Sequence, residues 1–239
     1  MMKIVEKQTR IVCIIMLKKL SQNTHVDKSE KKKEKKMGER KKKKQCTKAA
    51  RVILASESEV RNKKLKKYFA NVQIVPHTID EEKFKVLEKK PEEVVLEIAK
   101  EKALSVLKDF REEMIIASDQ ILVCEKKIWS KPKTLEAAKK KLLFLKNKVH
   151  KLYSSIYVIH KQKFYFQQVK VASLFFEDLT QREIESYIKA NQKTVLTTVG
   201  SYKIEENSKY NFLSILNGDI ETILGFPIKD LVEKIKNEE

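Results

Sequence analysis

Between residues 51 and 239, short apolar runs alternate with longer stretches whose apolar residues recur every three or four positions. The runs predict buried strands and the longer stretches amphipathic helices. Val52, Ile53, Leu54 and Ala55 make the first strand. Ser56 or Ser58 then caps a helix reaching about Ala70, with Leu65, Tyr68 and Phe69 on its apolar side. A short strand over 72–75 and a polar loop lead to Pro91, which opens a helix carrying Val94, Val95, Ile98, Leu104 and Leu107 at helical spacing. Residues 114–117 and 120–124 read as strand material on either side of Asp119. Thr134 caps a further helix with Leu135, Ala138, Leu142, Leu143 and Leu145 on one face. Two strands follow over 152–159 and 164–176, separated by a polar turn. Thr180 with Glu183 forms a capping box for a helix ending near Ala190. The stretch 191–211 reads as irregular, 212–216 as a strand, and Pro227 as the start of the terminal helix.

This alternation predicts an α/β fold with a central mixed sheet. Composition changes the picture only in the first fifty residues. Of 52 Lys and Arg against 33 Asp and Glu, residues 1–50 hold 17 against 5, a net of +12, leaving 35 against 28, a net of +7, for the rest. The lysine-rich run 27–48 predicts a disordered basic extension over 1–50, ahead of a folded domain over 51–239. Such a tail offers non-specific contact to nucleic acid or simply a solvated extension, with Met37 as an alternative start. The apolar stretch 11–17 is too short to span a bilayer, and Lys18 and Lys19 end it without a small-residue cleavage site. Three cysteines, Cys13, Cys46 and Cys124, form no disulfide or metal pattern, so a cytoplasmic protein is expected.

Candidate chemistry centres on Asp119, at the end of the run 114–117. A carboxylate there is half removed from water and needs a cation, a metal or hydrogen bonds. Open α/β sheets bind ligands at the carboxyl ends of their strands. A turn cap is an equal alternative on position alone. Four further segments concentrate polar residues: Ser56 to Arg61 at a strand-to-helix turn, the acidic loop 78–82 with Asp80 and Glu81, Lys102 one turn from Ile98 on an apolar helix face, and Gly200 to Glu205 read with Gly218-Asp219 and Gly225 to Pro227. Lys131-Pro132 follows Asp119 by twelve residues. Hard acids for a metal, with lysines and an arginine for phosphates, suggest phosphoryl chemistry on a polyanion. With four glycines and no Walker-type loop, a glycine-rich phosphate cradle is excluded. Four histidines show no zinc spacing, and His150 at a strand start reads as structural.

In order, these segments resemble the Maf family of nucleoside triphosphate pyrophosphatases, from about Arg51 to the C-terminus. The family's Leu-Ala-Ser-x-Ser-Pro-x-Arg-Arg is matched by Leu54 to Asn62, its Asp-Glu by Asp80-Glu81, and its Glu-Lys-Ala by Glu101-Lys102-Ala103. Ser-Asp-Gln falls at Ser118 to Gln120, Lys-Pro at Lys131-Pro132, a His-x-x-x-Thr strand start at His150 to Ser154, Gly-Ser-Tyr…Glu at Gly200 to Glu205, and Gly-Asp…Gly-Leu-Pro at Gly218 to Pro227. The resemblance implies an inosine triphosphatase-like fold with a cleft between two lobes, and hydrolysis of a nucleoside triphosphate to monophosphate and pyrophosphate. It implies Asp119 as the general base and a metal contact. Glu81 would help hold Mg²⁺, or Mn²⁺ in its place, and Arg61, Lys102 and Lys131 would neutralise phosphate charge. Ser56 and Ser58 would line the substrate, with specificity positions at Val60, Gln120 and Glu205. The Ser-Asp-Gln form resembles the subgroup that includes 7-methyl-GTP pyrophosphatases. A homodimer is also implied, and no membrane partner.

The sequence departs from that pattern at Glu59 (usually Pro), Val60 (aromatic in the subgroup), Asn62 (the second Arg) and Glu206 to Lys209 (usually glycines). These departures motivate an alternative: a Maf-like protein with weakened catalysis that binds nucleic acid or ribosomes through its basic tail.

Overall fold

A computed structural model describes residues 51–85 and 89–238; the basic run 27–48 and the apolar stretch 11–17 lie outside the described residues. The first apolar run becomes β1 (Val52–Leu54), buried at every position. It lies parallel to β2 (Val72–Ile74) on one side and to the start of β3 (Met114–Cys124) on the other. Parallel neighbours require crossovers, which α1 (Glu59–Leu65) and α2 (Pro91–Leu107) supply. Beyond this point the sheet is antiparallel. β3 pairs with β5 (Lys148–His160), β5 with β6 (Lys163–Phe176), and β6 with the edge strand β7 (Leu213–Asn217). A hairpin adds β4 (Lys127–Trp129) to the far end of β3. Its turn places Glu125 and Lys126 at positive φ, as Lys161 and Gln162 are between β5 and β6, the geometry of two-residue hairpin loops. Among the described residues the sheet order is β2-β1-β3-β5-β6-β7, the mixed sheet expected from the sequence.

Alternate strand positions face different layers. Ile53, Ala55, Ile115 and Ala117 pack with Ala99, Ala103 and Val106 of α2. Val52, Leu54 and Ile116 pack with Phe226 and Ile228 and with Leu231, Val232 and Ile235 of the terminal helix α8, whose position in the chain is Lys229–Glu238. A separate cluster covers the other ends of the long strands: Leu122, Cys124, Leu152 and Leu174 meet Ala138, Leu142 and Leu145 of α3 (Leu135–Leu145) and Ile184, Tyr187 and Ile188 of α4 (Gln181–Ala190). Asp119 lies between these clusters along β3.

Three expectations need correction. Asp119 does not end a strand; β3 runs unbroken through it, because Asp119 pairs with Ser155 in a ladder that extends from Met114↔His160 to Val123↔Lys151. The long partner satisfies the backbone and overrides the local polarity of Ser118-Asp119-Gln120. The segment 191–211 is not irregular either. It holds α5 (Gln192–Thr197), a 3-10 turn (Ile204–Glu206) and α6 (Asn207–Tyr210). These elements are short and rich in Thr and Asn, which obscures helical periodicity, and the Thr197 and Thr198 hydroxyls donate back to carbonyls of Lys193 and Thr194. The terminal helix also begins at Lys229, two residues after Pro227.

The turn from β7 into α7 (Ile220–Ile223) depends on Gly218, whose φ is +98° and where a Cβ would lie 2.6 Å from the Cβ of Ala172. Gly218→Ala combines left-handed strain with a backbone clash, so it is expected to lower stability by about 2 kcal/mol or more, read as a reduced urea midpoint at constant slope. An unchanged midpoint would show that the turn tolerates a side chain.

Candidate active site

The continuous β3 sorts its side chains by parity. Asp119 follows Ile115 and Ala117 onto the α2 face, whereas Ser118 and Gln120 turn to the opposite face. Asp119 is 4% exposed, and its Oδ1 accepts a 2.7 Å hydrogen bond from Lys102 Nζ. The same ammonium lies 2.6 Å from Glu81 Oε1. Lys102 therefore does not snorkel from the apolar face of α2; at 3% exposure it is buried between two carboxylates. The second oxygen of Asp119, Oδ2, is buried with no hydrogen-bond partner.

Glu81 begins a 3-10 turn, Glu81–Phe84, whose N-cap Asp80 accepts from the Glu82 amide at 3.2 Å. The acidic loop is thereby divided by role: Asp80 caps, Glu81 faces Lys102, and Glu82 binds Lys85 at 2.7 Å. Burial opposes the Glu81 charge, but His77, Lys102 and Lys85 outweigh it and hold its pKa far below the usual carboxylate range. Lys85 Nζ also donates to Ser130 Oγ at 3.0 Å, and Ser130 Oγ donates to Glu82 at 3.2 Å, which ties the acidic turn to the loop bearing Lys131.

Arg61 enters from α1. The hydroxyl of its N-cap Ser58 accepts from the Arg61 amide, and the Ser58 amide donates to Ser56 Oγ. Arg61 Nε donates to Gly225 O at 3.1 Å, and Nη1 donates to Ser56 Oγ at 3.2 Å and to Ser118 O at 2.6 Å. Its Nη2 makes no hydrogen bond among the described residues. Burial lowers the guanidinium pKa, while Asp119 and Glu81 favour the charged form. Lys131 makes no hydrogen bond or ion pair among the described residues and retains solvent contact. The protein around it lowers its pKa, with Arg61 and Lys102 acting in the same direction and Glu81 and Asp119 opposing. It is an unpaired cation at the edge of this cluster.

The remaining expected residues lie elsewhere. Gln120 Nε2 donates to Thr222 O, Ile223 O and Ser154 Oγ at 3.0, 3.0 and 3.1 Å, on the side of the sheet opposite Asp119. Val60 and Glu205 are exposed, on α1 and on the 3-10 turn before α6, and join none of these contacts. Gly200-Ser201-Tyr202 is packing: a Cβ on Gly200 would run into the Tyr202 ring, and Tyr202 hydrogen-bonds buried His150. Sequence reasoning missed Lys85 and His77, although both lie four residues from Glu81. It also missed Lys141, which shares the signal that exposed Lys102: a lysine on the apolar face of a helix.

Among the described residues no group of three or more His, Cys, Asp and Glu is arranged around a metal position. Two carboxylates with one unpartnered oxygen do fit Mg²⁺, which keeps several waters and takes phosphate oxygens alongside one or two carboxylates.

The chain belongs to the Maf family, whose model, described as Maf-like protein, matches residues 51–238. A protein of Legionella pneumophila (strain Lens) named nucleoside triphosphate pyrophosphatase is 32% identical over 188 residues, covering 78% of this chain and 92% of its own. A 7-methyl-GTP pyrophosphatase of Bartonella henselae is 31% identical, covering 79% and 96%. A dTTP/UTP pyrophosphatase of Pyrococcus abyssi is 32% identical, covering 77% and 95%. Among solved structures, the Ham1 protein of Staphylococcus aureus aligns with a TM-score of 0.46 at 15% identity, over 79% of this chain and 100% of that one; that likeness is too distant to carry more.

Two measurements probe this arrangement. Lys102→Met leaves two carboxylates facing each other without their cation and is expected to cost about 3 kcal/mol or more in chemical denaturation; a variant as stable as the parent would remove Lys102 as their counter-ion. His150 provides a pH test. Burial pushes its pKa down from 6.5 to about 4, with the Lys148 main chain pulling the other way. Between those values the unfolded chain binds a proton that the folded one does not. Stability that is complete above pH 6.5 is therefore lost as pH falls towards 4, by about 3 kcal/mol from this group. Thermal melts of the parent and His150→Asn across that window should show a flatter pH slope in the variant, and equal slopes would exclude His150 as the source.

Proposed function

We propose that this Maf-family chain hydrolyses a nucleoside triphosphate to the monophosphate and pyrophosphate, with Asp119 activating the water that attacks the α-phosphorus. The observation that carries this reading is the state of Asp119: buried, fixed through Oδ1 by Lys102, and with Oδ2 unpartnered. Lys102 orients the carboxylate through Oδ1, which leaves Oδ2 as the atom to take the proton from water. Negative charge growing on the phosphate oxygens and on the departing pyrophosphate is met by Lys131 and by Arg61 Nη2, two cationic donors without hydrogen-bond partners among the described residues. Donors already in place need no rearrangement as charge develops. Glu81 and Asp119 are the residues that would hold Mg²⁺, or Mn²⁺ in its place, which when bound neutralises triphosphate charge.

The relatives' names support the substrate class and differ in the base, naming 7-methyl-GTP in one case and dTTP and UTP in another. A modified or non-canonical nucleotide handled in the cytoplasm is the finer reading, motivated by the Ser-Asp-Gln sequence at 118–120. No helix among the described residues is long and apolar enough to cross a membrane.

The test is pyrophosphate release from a nucleotide panel that includes 7-methyl-GTP, dTTP and UTP, with Mg²⁺ and with Mn²⁺. Asp119→Asn is expected to lower kcat by about 10²- to 10⁴-fold, the range for loss of a positioned general base. Turnover of no nucleotide, or equal activity in the variant, would overturn the reading.

A further inference from the structure

Lys141 is a second buried lysine, and the mechanism above does not use it. It lies on the inner face of α3 at 2% exposure. Unlike Lys102 it has no carboxylate partner among the described residues: Nζ donates to Ser130 O and, at 2.9 Å, to Val199 O, and stands 5.8 Å from the centre of the Trp129 ring. An ammonium without a counter-ion is an expensive way to fill a core position flanked by Ala138, Leu142 and Leu145, where an apolar side chain of the same length would pack at lower cost. Burial, reinforced by the charge of Lys85, brings its pKa down to about 8. What the ammonium supplies is donors to two carbonyls on separate segments, one directly before Lys131 and one directly before Gly200.

We propose that Lys141 is a positioning residue that fixes the backbone from which Lys131 reaches the substrate. Ser130 is held at both ends, its carbonyl by Lys141 and its hydroxyl by Lys85 and Glu82. Pro132, on the other side of Lys131, is buried and has a fixed φ. Lys131 is therefore a free side chain on an immobilised stretch of main chain, and Lys141 is the part of that clamp contributed by α3. Through Val199 the same ammonium joins this loop to the packed Gly200-Ser201-Tyr202 segment. The inference rests on the reading of Lys131 as a cation for the triphosphate.

The experiment is a double-mutant cycle with Lys141→Met, which keeps length and removes the donors, and Lys131→Ala. It follows calorimetric binding of inorganic triphosphate and nucleotide turnover. Lys141→Met alone is expected to weaken triphosphate binding and to lower kcat/KM by about 10- to 100-fold, with kcat sharing in the fall because Lys131 also meets charge that develops during the reaction, the scale of a misplaced group. In the Lys131→Ala background it should add nothing. Lys141→Gln, which retains two donors on its amide, should recover part of the loss and carries the cycle should the Met variant not fold. Effects that multiply in the double variant, or unchanged binding in Lys141→Met, would overturn the proposal. If no nucleotide is turned over while the binding cycle behaves as expected, the catalytic reading falls and the positioning role stands.

Discussion

The arrangement depends on one ammonium group. Lys102 Nζ lies 2.7 Å from Asp119 and 2.6 Å from Glu81, and each partner makes the others tolerable. A lone carboxylate in the middle of a buried strand is costly, and so is a lone lysine on the inner face of α2. Two carboxylates facing each other would repel. One cation between them offsets both costs in a place that excludes most water. The register of α2, the register of β3 and the turn at Glu81 are thereby locked together. The unpartnered oxygen on Asp119, with Glu81 across the same ammonium, fits a divalent cation.

A second constraint decides where this charge can meet a ligand. β1 pairs with β3 only from Met114 to Ile116, and β4 pairs only from Leu122 to Cys124. Residues 117–121 consequently have a strand neighbour on one side alone. Arg61 donates to the Ser118 carbonyl on this side and to Gly225 O, which also accepts from the Ser118 hydroxyl. The guanidinium closes part of the open edge and stays beside the carboxylates instead of pairing with one. The shortness of β1 is therefore as important to the site as the residues in it.

Much of this was legible in the sequence, and the failures have common causes. Period-2 and helical spacing located the long elements because burial imposes those periods. Lys102 was visible as a lysine one turn from Ile98. Asp119 was misplaced at a strand end because three polar residues interrupt an apolar run, and only a partner as long as β5 reveals that the ladder continues. That error had a consequence: once 114–124 is one strand, alternation puts Gln120 on the face opposite Asp119, where its amide binds the end of α7. β4 and α5 were missed because three to six residues carry too little periodicity to read. Lys141 carried the same signal as Lys102 and differs in having no acidic motif to draw attention to it.

The departures from the family pattern fall outside the locked cluster. Glu59 and Val60 are exposed on α1, and Glu206 to Lys209 run from the end of the 3-10 turn into α6. Some of these changes have local uses. Asn207, where the family has glycine, accepts from the Phe212 and Leu213 amides and donates to the Leu213 carbonyl, fixing the entry to β7. Asn62 keeps a buried Oδ1 without a partner and has no comparable use. A member of the charged cluster cannot change alone without leaving its partners uncompensated, whereas an exposed position on α1 can change at little cost to the fold. Substitution at the periphery with the interior retained follows from that difference in cost. On the proposed reading it also separates two questions experimentally, because substitutions inside the cluster test hydrolysis and substitutions at Glu59 and Val60 on α1 test recognition of the base.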